Sequence, residues 1–179
     1  MSRLTPLAFE QMTDEQQRVF QVISSSRKTG LGGPFSVWVR TPALAEPANL
    51  LHNAFRLHGA LNRRLFEMLI LMVAHSFQSK YVWTFHVGQA RKAGLEDDAI
   101  VAIEQGIRPD LNATDENALY DVVKELLSTK TLRTESYNAA IDLFEETLLI
   151  EIISAVGFYS NICLLVNVFD VPAAAPTLG

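Results

Sequence analysis

The stretch Leu61–His75, LNRRLFEMLILMVAH, is nearly solid with Leu, Met, Ile, Phe and Val, and only Asn62, two arginines and Glu67 break its apolar body. A helix that is apolar on nearly every side is buried on nearly every side, so the remaining chain has to enclose it. Glu67 lies in its most apolar part. A buried carboxylate needs a partner, and a histidine on a neighbouring helix could supply one.

The flanking sequence reads as helices that can enclose this segment. Thr13-Asp14-Glu15-Gln16 has the form of a capping box, and Val19, Phe20, Val22 and Ile23 follow at helical spacing, which predicts a first helix from Thr13 to Arg27. Gly30, Gly32, Gly33 and Pro34 form a loop with neither the GxGxxG nor the GKS/T pattern of a phosphate cradle. Thr41-Pro42 supplies an N-cap and a first-turn proline for a helix that Gly59 ends. After the apolar segment, Ser79 to Gly94 is a helix with Arg91 and Lys92 in its last turn. Leu95 to Gln105 is short and amphipathic, and Thr114 and Thr134 cap two more helices, the second with Tyr137, Ile141 and Phe144 inward. Leu148 to Phe169 is long and apolar enough to raise a membrane question, but Glu151, Ser154, Ser160, Asn161 and Asn167 interrupt it, which favours an internal or interface helix. No segment alternates at period two, and no repeat or long linker divides the chain. The expected class is all-α, with residues 1–179 forming one domain.

Composition narrows the functional classes. Fifteen basic residues against twenty acidic ones give a net charge of −5, with no basic run longer than two, so a nucleic-acid footprint is absent. A single cysteine, Cys163, excludes an internal disulfide framework and any CxxC redox or zinc-ribbon site. The N-terminal residues show no apolar secretory core, so the expected setting is cytoplasmic and reducing, without a membrane partner. His52 and His58 are six apart, off the i, i+4 spacing of a metal pair, and no metal is expected.

The candidate site centres on SKYVWTFH, Ser79 to His86. Ser79, Val82, Trp83 and His86 stand at i, i+3, i+4 and i+7 and share one helix face, which can line one wall of a pocket opposite Glu67. From Leu61 to Leu95 the chain resembles the carboxymuconolactone decarboxylase family, which includes the AhpD-like alkylhydroperoxidases. The family pattern it resembles is an apolar helix with one glutamate, a short break, then C-x-Y-x-W-x-x-H, with Ser79 here in the place of the cysteine, and A-x-x-A-G-L. GPF at Gly33–Phe35, TPALAEP at Thr41–Pro47, and Glu151, Gly157, Tyr159 and Asn161 extend the resemblance across Thr13 to Pro172.

The resemblance implies an AhpD-like helical bundle, with Glu67 as a proton-relay glutamate and His86 as its histidine. It also implies that Ser79 and Val82 stand where the peroxidase branch has its two cysteines, so thiol peroxidase chemistry is disfavoured. The decarboxylase branch needs neither redox thiol, metal nor organic cofactor, and its substrates are carboxylated unsaturated lactones from aromatic-compound catabolism. The expected function is therefore a cofactor-free decarboxylase-like lyase acting on a small carboxylated lactone or related enolisable acid. Other proton-transfer lyase, isomerase or hydrolase chemistry on the same pair stays open, as does a non-catalytic small-molecule-binding role. Ser79, Tyr81, Trp83, His75 and Arg63 are candidate substrate contacts. Ser79 could instead cap its helix, His75 could serve a helix end, and Arg63 or Arg64 could anchor Glu67. The two apolar helices and the resemblance together predict a homo-oligomer, a trimer or up to a hexamer.

Overall fold

The structure, a computed structural model, describes residues 2–25 and 32–173. Among these residues it is all-α: α1 (Asp14–Ser25), α2 (Pro34–Trp38), α3 (Pro42–Asn53), α4 (Arg63–Ser76), α5 (Lys80–Lys92), α6 (Asp97–Glu104), α7 (Thr114–Thr129) and α8 (Thr134–Val168). The predicted end of the first helix, Ser26 and Arg27, and Gly30 lie outside the described residues.

Helix α4 is the axis of the fold. Every residue from Leu65 to Ala74 is buried, because α5, α6, α7 and α8 all pack around it. Its start is set by Asn62, whose Oδ1 accepts from the Leu65 amide at 3.0 Å, satisfying one of the orphan amides of the first turn. Just before it, the Ala60 and Leu61 amides donate to Glu151 on α8 at 2.8 and 3.2 Å. Gly59 makes room for that carboxylate, since a Cβ there would lie 2.5 Å from Glu151 Oε1. At the other end, Asn167 donates from Nδ2 to the Phe77 carbonyl at 2.8 Å, tying the end of α8 to the α4–α5 turn.

The Thr13 capping box forms as read: the Gln16 amide donates to Thr13 Oγ1 at 3.3 Å and the Thr13 amide to Gln16 Oε1 at 3.1 Å. Other caps differ from the sequence reading. Thr41 makes no side-chain cap, while Thr114 and Thr134 are already the first helical residues and follow Ala113 and Arg133. A polar residue signals a helix start but does not fix its phase. Two short elements escape a periodicity reading altogether: α2 has five residues opened by Pro34, and Ala54–His58 closes α3 with a π-helical turn.

The two helices expected beyond Thr134 are joined into one element with a kink at Glu145, whose φ of 58° and ψ of 169° are non-helical. Phe144 is buried, but Tyr137, expected inward, is 49% exposed. By length and composition α8 could cross a membrane; half of its most apolar stretch is buried against the other helices. Its outer side leaves Ile150, Ile153, Leu164 and Val168 exposed. At about 100° per residue these fall on one stripe, with the small Gly157 between them.

Candidate active site

Glu67 projects from the middle of α4 and is fully buried. Its Oε2 lies 2.7 Å from Nδ1 of His86 on α5, and its Oε1 lies 2.5 Å from an Arg63 guanidinium nitrogen one turn back on α4. The Arg63 contact is an ion pair without good hydrogen-bond alignment, since Oε1 has no aligned donor. Glu67 therefore sits between one cation, 44% exposed, and one imidazole, 12% exposed. Arg64, the other candidate partner, turns away to Glu116 at 3.2 Å.

This geometry sets the tautomer. With Glu67 a carboxylate beside Arg63, Nδ1–H of His86 donates to Oε2, and the lone pair of the neutral ring resides on Nε2. Among the described residues Nε2 has no protein partner, and it is not among the polar atoms sealed from solvent. The ring is clamped in orientation by aromatic edges: Tyr159 on α8 meets it at 5.6 Å and 88°, and Phe85 at 5.1 Å and 69°. Tyr159 in turn packs edge-on against Phe66 of α4 at 5.7 Å. The result is a fixed imidazole with an anchored nitrogen, an open nitrogen and apolar flanks.

The other residues anticipated from sequence fall into different places. Val82 is buried and Trp83 half-buried against the core, on the His86 face of α5. Tyr81, about 140° round the helix from His86, lies against Gly33, where a Cβ would come within 2.3 Å of its hydroxyl. Glycine at that position also permits the φ of 61°. Ser79 occupies the N-cap position of α5 but makes no side-chain cap, correcting that expectation. It is buried, and its hydroxyl faces the Cys163 thiol of α8. Burial pushes the Cys163 thiol up to about 11, against a smaller downward pull from that hydroxyl. A buried thiol with so little thiolate near neutral pH is no nucleophile.

His75 is exposed at the end of α4 and lines a separate cleft with residues of α6 and α7. Eight residues beyond Glu67, it is about 12 Å along the helix axis and a further 80° round it. The structure thus brings together Glu67, His86 and Arg63, and leaves His75 out. Tyr159 is the contact that the residue-by-residue reading did not assign to the site. Its signal was present in the Glu151, Gly157, Tyr159 and Asn161 pattern, but its distance in sequence from His86 gave no spacing to read. No group of three or more potential metal ligands converges among the described residues.

The carboxymuconolactone decarboxylase family model matches residues 42–131, half of the chain, and spans both helices of the Glu67–His86 pair. The chain belongs to the carboxymuconolactone decarboxylase family. No curated protein is significantly similar to it in sequence. Among solved structures, it is similar to the alkylhydroperoxidase AhpD core of an uncharacterized peroxidase-related protein from Ralstonia eutropha JMP134. The TM-score is 0.78 and the identity 14%, over 96% of this chain and 92% of that one. The likeness is one of fold. The matched segment contains Glu67, Ser79, Val82 and His86, and the chain's one cysteine, Cys163, lies outside it.

Proposed function

We propose that the protein is a cofactor-free, decarboxylase-like lyase that acts on a small carboxylated unsaturated lactone, or a related enolisable acid, by proton transfer at His86. The observation that carries this reading is the 2.7 Å bond between buried Glu67 and His86 Nδ1, in a family member without a thiol pair. Bond breaking between the substrate carbon and its carboxylate releases CO2 and leaves the electron pair delocalised into the lactone. His86, protonated from solvent at Nε2, delivers that proton to the carbon and returns to the neutral ring. Glu67 holds Nδ1–H throughout and stabilises the transient imidazolium. The Arg63 guanidinium retains donors beyond its contact with Glu67 and is available to an anionic substrate. Phe85 and Tyr159 offer an apolar surround in which a carboxylate loses charge more readily than in water.

The exposed apolar stripe of α8 supports self-association, with a second copy covering Ile150, Ile153, Leu164 and Val168. The reading is tested by incubating the protein with a γ-carboxylated unsaturated lactone and following CO2 release. Turnover is expected to persist in chelator, without thiol reductant and in Cys163→Ala. Dependence on a metal or on Cys163 would replace it with a different chemistry.

A further inference from the structure

A cleft of about 190 Å³ lies between the end of α4, the turn after α6 and the outer face of α7. Its lining combines buried Met72 and Ile103 and half-buried Leu127, which make its apolar inner side, with exposed His75, Ser76 and Lys124, which make its rim. The polarity change is written into α4, where ten buried residues end abruptly in the exposed pair His75-Ser76. On α7, Lys124 stands one turn beyond buried Tyr120 and one turn before Ser128, so three cleft residues share one helix face.

Two details shape the mouth. Gly106 adopts a φ of 72°, and a Cβ there would sit 3.1 Å from His75 Nε2. Only the smallest residue lets the turn close against the imidazole and keep it at the rim. The two acids that flank Lys124 on α7 are paired: Asp121 with Arg108, which lies over the Tyr120 ring at 5.0 Å, and Glu125 with Arg133. Lys124 and His75 have no ion-pair partner among the described residues, and no carboxylate lines the cleft. An ammonium and an imidazole thus line an apolar hollow whose lining holds no carboxylate.

We propose that this cleft is a second binding site, distinct from the Glu67–His86 pair, for a small apolar carboxylate. The carboxylate is held at the mouth by Lys124 with His75 and the Ser76 hydroxyl, and the apolar body rests on Ile103 and Leu127. The cleft is smaller than the ~300–1,000 Å³ of sites for larger ligands, so a single ring or a short chain is what fits. A free phosphate fits less well: it would leave the apolar floor exposed to water, and one flexible lysine is a point charge without the bidentate fork that phosphate recognition favours.

The test is an amide NMR titration of the intact protein with benzoate, alongside benzyl alcohol and inorganic phosphate. Benzoate is expected to shift Gly106 and the neighbours of His75 and Lys124 with an affinity on the order of 1 mM. Benzyl alcohol should bind more weakly and phosphate should leave those resonances unmoved. Lys124→Gln, an exposed change that leaves the fold intact, should weaken benzoate about three- to fivefold. The proposal is overturned if benzoate leaves the cleft unperturbed, if Lys124→Gln leaves its affinity unchanged, if phosphate binds as well as benzoate, or if the shifts cluster only at His86.

Discussion

Replacing Glu67 by Gln separates a catalytic pair from a structural one, because it removes charge while conserving volume at a fully buried position. Glu67 is fully buried, with one oxygen 2.7 Å from His86 Nδ1 and the other 2.5 Å from Arg63. In Glu67→Gln, a charge-assisted bond worth about 1.5–3 kcal/mol becomes a neutral one worth about 0.5–1.5 kcal/mol. Arg63 loses its counter-charge but is half-exposed and can turn into solvent. The expected stability loss is therefore only about 1–2 kcal/mol. The effect on chemistry should be larger. The amide can present either its carbonyl or its NH2 group to Nδ1, and the second arrangement forces the proton onto Nε2, the nitrogen that must accept it. The wrong tautomer and the lost imidazolium stabilisation together predict a fall in kcat of about 10² to 10⁴. Urea unfolding, turnover and ¹⁵N NMR of the His86 ring on the same preparations give all three quantities. A loss of about 3–5 kcal/mol in Glu67→Gln, the range for a broken buried ion pair, with parental turnover in its folded fraction, would make the pair structural rather than catalytic.

Three further outcomes are expected. Because burial holds the Cys163 thiol up at about 11, the unfolded chain, with a thiol near its ordinary value of about 8.5, releases that proton first. Stability should then fall by roughly 2–3 kcal/mol between pH 9 and 11 relative to Cys163→Ala, as read by denaturant melts; parallel pH profiles would show that the thiol is not buried as described. Glu145→Gly should raise the melting temperature by a few degrees, since the ε-region backbone of Glu145 costs about 1–3 kcal/mol for a non-glycine residue and glycine returns about 0.5–1 kcal/mol in chain entropy; differential scanning calorimetry decides, and a lower melting point would contradict the kink. Light scattering should give a multiple of the single-chain mass at micromolar concentration, and Leu164→Lys on the α8 stripe should reduce it; a monomeric parent protein would leave that stripe without the partner proposed for it.

The central pair was legible because two signals coincided. An isolated acid inside LFEMLILMVA demands a partner, and the spacing of Ser79, Val82, Trp83 and His86 aims a histidine from the next helix toward it. Helix α4 was legible from a nearly unbroken apolar run, which matches the burial of every residue from Leu65 to Ala74. Contacts that depend on tertiary placement were not legible. Ser79 looks like a cap by residue type, yet it packs toward Cys163, 84 positions away, because α8 crosses the start of α5. Tyr159 reaches His86 for the same reason, from a helix held at mid-length by the Glu151 hydrogen bonds to the start of α4 and near its C-terminus by the Asn167 bond to the α4–α5 turn. His75 shares a helix with Glu67, but two turns and the extra rotation put it in another cleft. The π-helical turn at Ala54–His58 and the five-residue α2 are too short for a period to show.

The most direct test of proton transfer at His86 is to run the reaction of a γ-carboxylated unsaturated lactone in D2O and analyse the product by NMR, for the parent protein and for His86→Ala. The pair predicts CO2 release with one carbon-bound deuterium on the dienolate framework, at the carbon that lost the carboxylate or at the α carbon conjugated with it, and a rate at least about 10² lower in a folded His86→Ala variant. Product formed at the parental rate by folded His86→Ala, or product without carbon-bound deuterium at either position, would contradict it.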